Sequence, residues 1–199
     1  MGRLPRFVSV DFGDCTFEAL NFDHDAVVSR ITEEMRAGVA VYYDRRWKLT
    51  DAFCRFLLAH PELLSGRTVL VVGAGAGLES VVIGHVAERI IVNDMAPASL
   101  ELTAEQLERN GVEGFEVRPG LLQESDLEGV DLVVGCFVVY DASTRDAMAE
   151  LLRRTAARHV PVILANEDVG SFFREVLEGA ERAVEELAEM GRGRIVRIG

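Results

Sequence analysis

Arg67-Thr-Val-Leu-Val-Val-Gly-Ala-Gly-Ala-Gly-Leu-Glu-Ser80 is the stretch whose reading decides the fold. Thr68 to Val72 is a short apolar, β-branched run of the kind that forms a strand buried on both faces. It breaks at Gly73, Ala74, Gly75, Ala76 and Gly77, after which Leu78, Val81, Val82, His85 and Val86 recur at helical spacing. Strand, glycine turn and helix make the first half of a βαβ unit. Glycines carry no β-carbon, so a flat ligand can approach the turn. The second strand is Arg89-Ile-Ile-Val-Asn-Asp94, and its last residue is an acid 21 positions after Gly73. A carboxylate at that strand tip accepts two hydrogen bonds from a ribose diol, and the separation is close to the ~20 residues expected of such units. The pattern therefore points to a nucleoside site; the competing explanation is a glycine turn that only lets helix and sheet pack closely.

The third glycine separates the candidate nucleosides. A dinucleotide fingerprint is G-x-G-x-x-G, with the pyrophosphate on the helix N-terminus. Here the spacing is G-x-G-x-G, Leu78 holds the sixth position, and Glu79 follows in the first turn of the helix. A carboxylate there repels a phosphate. S-adenosylmethionine, an adenosine with no phosphate and a positive sulfonium, suits the turn better than NAD does.

Composition narrows the field further. At 199 residues the chain suits one domain with a substantial core. Its 49% hydrophobic and 27% charged residues are those of an ordinary folded protein. A net charge of −12 and a pI of about 4.8 disfavour nucleic acid as a main partner. Lys48 is the sole lysine. Cys15, Cys54 and Cys136 lie far apart, and His24, His60, His85 and His159 form no ligand cluster, so no metal site is expected. Reduced thiols, no recognisable signal peptide and no apolar run near the ~20 residues of a membrane helix give a cytoplasmic expectation, with no membrane association.

Taken in order, Phe7–Phe12 and Thr16–Phe22 partly alternate around Gly13-Asp14, which predicts a hairpin. Asp25 can cap a helix carrying Val28, Ile31 and Met35 and stopped by Gly38; Val39–Tyr43 then reads as extended. Arg45, Arg46, Trp47 and Lys48 form a small basic and aromatic cluster. Thr50 can cap a helix with Phe53, Phe56 and Leu57, ended by His60-Pro61. After Asp94, a helix opens at Pro97 and ends at Asn110-Gly111. Strands are predicted at Phe115–Arg118, Asp131–Val139, Val160–Ala165 and Arg194–Ile198. Helices are predicted from about Ser143 to Arg158 and, capped by Ser171, over a long stretch through Leu187. Alternating strand and helix predicts an α/β fold: a Rossmann-like, doubly wound, mostly parallel sheet. The expected layout is a single domain, with a hairpin and helical extension with a lid over residues 1–62 and a cofactor-binding core over 63–199. The loops after Val72, Val92, Arg118, Val134 and Ala165 should converge at the ligand.

On these residues the sequence resembles the class I S-adenosylmethionine-dependent methyltransferases. It looks nearest to the seven-strand protein-lysine methyltransferases that include the electron-transfer-flavoprotein β-subunit enzyme. Trp47, Arg55–Pro61, Gly66–Leu70, Asn93-Asp94, Pro97, Asn110, Asp131–Val134 and Tyr140-Asp141 carry the resemblance, which runs from about Tyr42 to Gly170. It implies that Gly73, Ala74, Gly75 and Gly77 line the methionine and ribose, and that Asp94 holds the ribose hydroxyls. It also implies that Met95 flanks the adenine and that Leu121 and Leu122 border the base.

Four positions depart from that family. Val71 stands where an acid usually precedes the first glycine by two residues, and Glu79 is a candidate to replace it near the cofactor's amino group. Phe137 stands where an aspartate is expected three residues before Tyr140. Leu121 replaces a polar partner of the adenine, and the Asp168–Ser171 loop lacks an arginine. The loss at Phe137 bears on chemistry. A lysine acceptor titrates near ~10.4, so freeing its lone pair at neutral pH costs roughly 4–5 kcal/mol. An acidic cage helps bind and orient that amine. Positioning alone can supply ~7–11 kcal/mol of a methyl-transfer barrier, so an enzyme acting on another nucleophile stays open.

The remaining candidates each have a structural alternative. Tyr140 is a candidate to touch substrate or the sulfonium, or to pack as a plain aromatic. Asp141 is a candidate base at the pocket mouth or a helix cap. Trp47, with its basic neighbours, is a lid or a solvated rim. Cys136 is a candidate nucleophile near the pocket or small core filler, and Asn166, Glu167 and Asp168 bind an amine or form a solvated loop. The function expected is methyl transfer from S-adenosylmethionine to a protein side chain or small molecule. A catalytically silent cofactor binder and a nicotinamide-dependent enzyme are the alternatives.

Overall fold

A strand shows alternate side chains to opposite faces, so a strand apolar throughout needs cover on both sides. The computed structural model describes residues 4–199. Its N-terminal part contains β1 (Phe7–Asp11), β2 (Thr16–Leu20), α1 (Asp25–Arg36) and α2 (Lys48–Ala59). The core follows as β3 (Thr68–Val72), α3 (Leu78–Val86), β4 (Arg89–Asp94), α4 (Pro97–Arg109), β5 (Glu116–Pro119) and β6 (Leu132–Cys136). It closes with α5 (Ala142–Ala157), β7 (Val162–Glu167), α6 (Phe172–Glu178), β8 (Val184–Met190) and β9 (Gly193–Ile198).

The main sheet has seven strands in the order β5-β4-β3-β6-β7-β9-β8. The first five are parallel; β9 runs antiparallel to β7, and β8 antiparallel to β9. Each face has its own core. Val69, Val71, Val92 and Val134 meet Phe53 and Leu57 of α2, Val81 and Val82 of α3, and Leu100 and Leu107 of α4. Leu70, Val72, Val133 and Leu164 meet Met148 and Leu151 of α5 and Phe173 and Val176 of α6. This is the doubly wound α/β sheet expected. The chain leaves β3 outward through β4 to β5, then returns to β3's other side as β6. The switch point thus lies between β3 and β6, where ligands enter such sheets.

The hairpin forms around Gly13-Asp14 as expected, pairing Phe7 with Leu20 and Asp11 with Thr16. It docks on α4: the Leu20 amide donates to Gln106 Oε1 at 2.6 Å, and the Glu18 amide to Asn110 Oδ1 at 2.8 Å.

Several local expectations are corrected. The N-cap of α1 is His24, whose Nδ1 accepts from the Ala26 amide, and not Asp25. Val28 and Met35 face solvent while Val27, Ile31 and Glu34 are buried, so the helix is rotated from the apolar stripe read in the sequence. Buried Glu34 explains the rotation: it accepts from the Tyr43 hydroxyl and from the Ala98 amide, tying α1 to the Val39–Tyr43 segment and to α4. That segment is not a strand. Thr50 is not a cap but a buried residue inside α2, whose N-cap is Trp47. The long helix after Ser171 is in fact the seven-residue α6, closed at Gly179, followed by β8. Val184-Glu-Glu-Leu-Ala-Glu-Met190 is rich in helix formers, yet β9 recruits it as an edge strand, with a register shift between Glu186 and Ala188. Pairing overrides propensity there. Finally, β6 ends at Cys136 because Phe137 turns to a φ of +54°.

Candidate functional site

The turn after β3 takes its shape from three left-handed glycines, with φ of +60° at Gly73, +53° at Gly75 and +76° at Gly77. They do different work. A β-carbon at Gly73 would sit 2.8 Å from Val138 Cγ1, and one at Gly77 would sit 2.6 Å from Thr103 Oγ1. At Gly75 it would meet nothing nearer than 3.6 Å. Gly73 and Gly77 are therefore demanded by packing, whereas a β-carbon at Gly75 would only reach ordinary van der Waals contact with Tyr43 and the Gly73 carbonyl, and there the positive φ alone calls for glycine.

Neighbouring elements hold the turn from outside. The Gly75 amide donates to Asp94 Oδ2 at 2.9 Å, and the Ala96 amide to Asp94 Oδ1 at 2.9 Å. Ser99 and Thr103 hydroxyls donate to the Gly75 carbonyl at 2.8 and 3.2 Å, and Gln106 Nε2 to the Ala76 carbonyl at 2.9 Å. Ser99, Thr103 and Gln106 went unnoticed in the sequence. Their signal is a polar row at four- and three-residue steps on the otherwise apolar buried face of α4. Asn93 clamps the loop after β5 by donating to the Arg118 and Gly120 carbonyls at 2.9 and 3.1 Å.

A cavity of about 520 Å³ opens beside this turn, within the range of small-molecule sites. Of the sequence candidates, Gly73, Gly75, Glu79, Asp94, Met95, Leu121, Leu122, Cys136, Trp47 and Tyr140 line it. Ala74 and Gly77 do not; Ala74 is buried core and donates its amide to the Asn93 carbonyl. Asp94 is 9% exposed, and burial raises its pKa against the pull of the Ala96 and Gly75 amides.

Glu79, 5% exposed on the first turn of α3, has no side-chain hydrogen-bond partner among the described residues. Burial, with repulsion from Asp94 adding to it, lifts its carboxyl from 4.5 to about 7. The folded protein thus keeps a proton that the unfolded chain releases near 4.5, and stability falls as pH rises through that interval. The fall amounts to about 3 kcal/mol. Glu79→Gln, having nothing to titrate, is expected to abolish it. Thermal midpoints at about pH 5 and about pH 8 check this, and equal slopes for variant and wild type would reject it.

For Asp141 and Cys136 the structural alternative fits the contacts. Asp141 is the N-cap of α5: its Oδ1 accepts from the Thr144 amide at 2.8 Å, the Thr144 hydroxyl at 2.9 Å and the Ser143 hydroxyl at 2.9 Å. Those bonds hold its carboxyl below the usual range, and it does not line the cavity, so it is no base. Asp141→Ala is expected to cost about 0.5–2 kcal/mol of stability. Ligand affinity should stay unchanged, as a melt with and without ligand would show. The Cys136 thiol is pushed well above its ordinary pKa by burial and by Glu79, which leaves it as filler on the wall rather than a nucleophile.

Asn166 does not reach the cavity either. Its Oδ1 accepts from the Val139 amide and its Nδ2 donates to the Val139 carbonyl, which fixes the segment carrying Tyr140. Asp168 pairs with Arg194 at 2.5 Å. In the basic cluster, Arg45 pairs with Asp44 at 2.8 Å and Arg46 with Asp51 at 3.1 Å. Trp47 Nε1 donates to the Tyr42 carbonyl at 3.1 Å, folding this segment onto itself beside the cavity. No group of His, Cys, Asp and Glu among the described residues has the geometry to hold a metal ion. No helix among them is long and apolar enough to cross a membrane.

No protein-family model matches the chain. It is 24% identical over 135 residues to the zebrafish (Danio rerio) electron transfer flavoprotein beta subunit lysine methyltransferase, covering 67% of this chain and 52% of that one. It is 28% identical over 141 residues to the Danio rerio protein N-lysine methyltransferase METTL21A, covering 65% and 62%. The chain thus spans about half the length of the first of these relatives. Among solved structures, the T. thermophilus 16S rRNA N2 G1207 methyltransferase RsmC, in complex with AdoMet and guanosine, superposes with a TM-score of 0.68. That match has 16% identity and covers 97% of this chain and 50% of that one. The fold is that of the class I methyltransferases.

Proposed function

We propose that this chain is an S-adenosylmethionine-dependent methyltransferase that transfers a methyl group to a protein side chain or a small molecule. The observation that carries the reading is the glycine turn at the switch point, fixed by Asp94 and lining the cavity with Gly73 and Gly75. The residues present suit the cofactor. Each Asp94 oxygen accepts one backbone amide and keeps a lone pair for a ribose hydroxyl. Met95 and Leu121, both exposed on the wall, offer apolar cover to a base. Glu79 is a buried carboxyl with no side-chain partner, held only by its own backbone amide; an ammonium group beside it would ionise it, so it can serve where Val71 replaces the strand acid.

When bound, S-adenosylmethionine supplies a methyl group activated on a positive sulfonium. The chain's own part is positioning and exclusion of water: the turn fixes one end, and Trp47, Phe137 and Tyr140 wall the cavity. With Glu79 given to the cofactor, no other side chain there is poised as a base. The relatives named as lysine methyltransferases support a protein acceptor, while Phe137 removes the acid that would orient a lysine amine. A net charge of −12 argues against nucleic acid. The free thiols at Cys15, Cys54 and Cys136 are in keeping with a cytoplasmic protein.

Incubating the protein with S-adenosylmethionine carrying a radiolabelled methyl group and fractionated lysate tests the activity. Label entering a fraction supports the enzyme. Binding of S-adenosylhomocysteine with no transfer to any fraction favours a silent cofactor binder.

A further inference from the structure

Four aromatic rings form a continuous row on one wall of the cavity. Tyr42 and Tyr140 have ring centroids 4.6 Å apart, Tyr140 and Phe137 6.3 Å, and Phe137 and Trp47 5.0 Å. The last two pairs are stacked, at 23° and 28°. Phe137 keeps its place in the row despite a left-handed backbone, φ +54°, that bulky side chains avoid. Strain of that kind gathers at ligand sites.

Charge around the row offers a cationic acceptor no carboxylate of its own. Among the described residues, the carboxylates lining the cavity are Glu79 and Asp94; Asp94 holds the Gly75 amide, and Glu79 is the group assigned above to the cofactor's ammonium. The cations lining it are Arg45, whose guanidinium lies 5.4 Å over the Trp47 ring, and Arg46. An alkylammonium would meet two guanidiniums, each already paired with an aspartate, and no acid beyond those given to the turn and the cofactor. Apart from Glu79, assigned to the cofactor, it would also find no base: Asp141 is a cap, and Tyr140 and Cys136 hold their protons well above neutral pH. The nucleophile must arrive with its lone pair already free.

We propose that the acceptor is the unprotonated nitrogen of a flat aromatic ring, pyridine- or imidazole-like, lying against Phe137 and Tyr140. This rests on the methyltransferase reading of the same cavity. The ring nitrogen's lone pair forms the new N–C bond while the methyl carbon–sulfur bond breaks and its electron pair stays on sulfur. Positive charge passes from sulfur to the ring, and no proton leaves before attack. The methylated ring, now cationic, is attracted to the aromatic faces around it.

The test starts from protein shown by calorimetry to be saturated with S-adenosylhomocysteine; failure at that step sinks the methyltransferase reading itself. Quinoline, N-acetylhistidine methylamide and, as the alkylamine control, N-acetyllysine methylamide are then titrated. A saturable heat is expected from at least one ring base, with quenching of Trp47, the sole tryptophan. Quinoline alone indicates a small-molecule acceptor; the histidine amide alone indicates a protein imidazole. Phe137→Asp, which suits a positive φ better than phenylalanine does, is expected to weaken ring-base binding by about tenfold or more. Its S-adenosylhomocysteine affinity should be unchanged, which also shows that it folds. Binding of the lysine amide in place of both ring bases, or of no ring base at all, overturns the proposal.

Discussion

Asp94→Asn is expected to weaken S-adenosylhomocysteine binding by about ten- to a hundredfold, the loss of about 1.5–3 kcal/mol that accompanies removal of a charged hydrogen-bond acceptor. The wild-type carboxylate serves two masters. It accepts from the amides of Gly75 and Ala96, and it offers its remaining lone pairs to the cavity. An asparagine has one acceptor oxygen and one donor nitrogen, so whichever way it turns, one of those two amides faces an N–H group. The turn then loosens as the ligand contact is lost, and an unpaired buried amide adds about 1–3 kcal/mol of instability. Both effects are measurable together, by calorimetry and by a melt without ligand. An unchanged affinity would remove Asp94 from the site.

Gly77→Ala has the largest expected effect on stability. The residue sits at φ +76°, where a β-carbon costs about 1–2 kcal/mol. That β-carbon would also lie 2.6–2.9 Å from three atoms of Thr103, whose hydroxyl holds the Gly75 carbonyl. Overpacking of this kind costs about 1–3 kcal/mol more. Together they predict a thermal midpoint lower by about 5–15 °C for a chain of this size. Gly73→Ala meets a single side-chain atom, Val138 Cγ1 at 2.8 Å, and its loss should be smaller. A Gly77→Ala protein as stable as wild type would mean that the turn has another conformation open to it.

The parallel core was legible because its signals are local. Thr68–Val72, the glycines and Arg89–Asp94 state their conformations through apolar runs and missing β-carbons, and the observed strand limits match them. What failed depended on distant partners. Val184–Met190 reads as helix until β9 offers it a row of hydrogen-bonding groups. The rotation of α1 follows from Glu34, whose two partners lie nine residues and 64 residues away. At the site, Asp94 and Glu79 could be singled out in the sequence by their distance from the glycine turn and Tyr140 by the family resemblance, and all three line the cavity. The row Ser99, Thr103 and Gln106 does not announce itself, because three polar residues on a helix look like solvent-facing ones until the turn carbonyls are placed against them.

The central claim, that a turn of bare backbone and the acid at the neighbouring strand tip hold an adenosyl sulfonium compound, is met most directly by calorimetric titration of the wild-type protein with S-adenosylhomocysteine and, separately, with NAD. A one-to-one saturable heat with S-adenosylhomocysteine and none with NAD is the predicted result. Saturable binding of NAD with no heat from S-adenosylhomocysteine would contradict it.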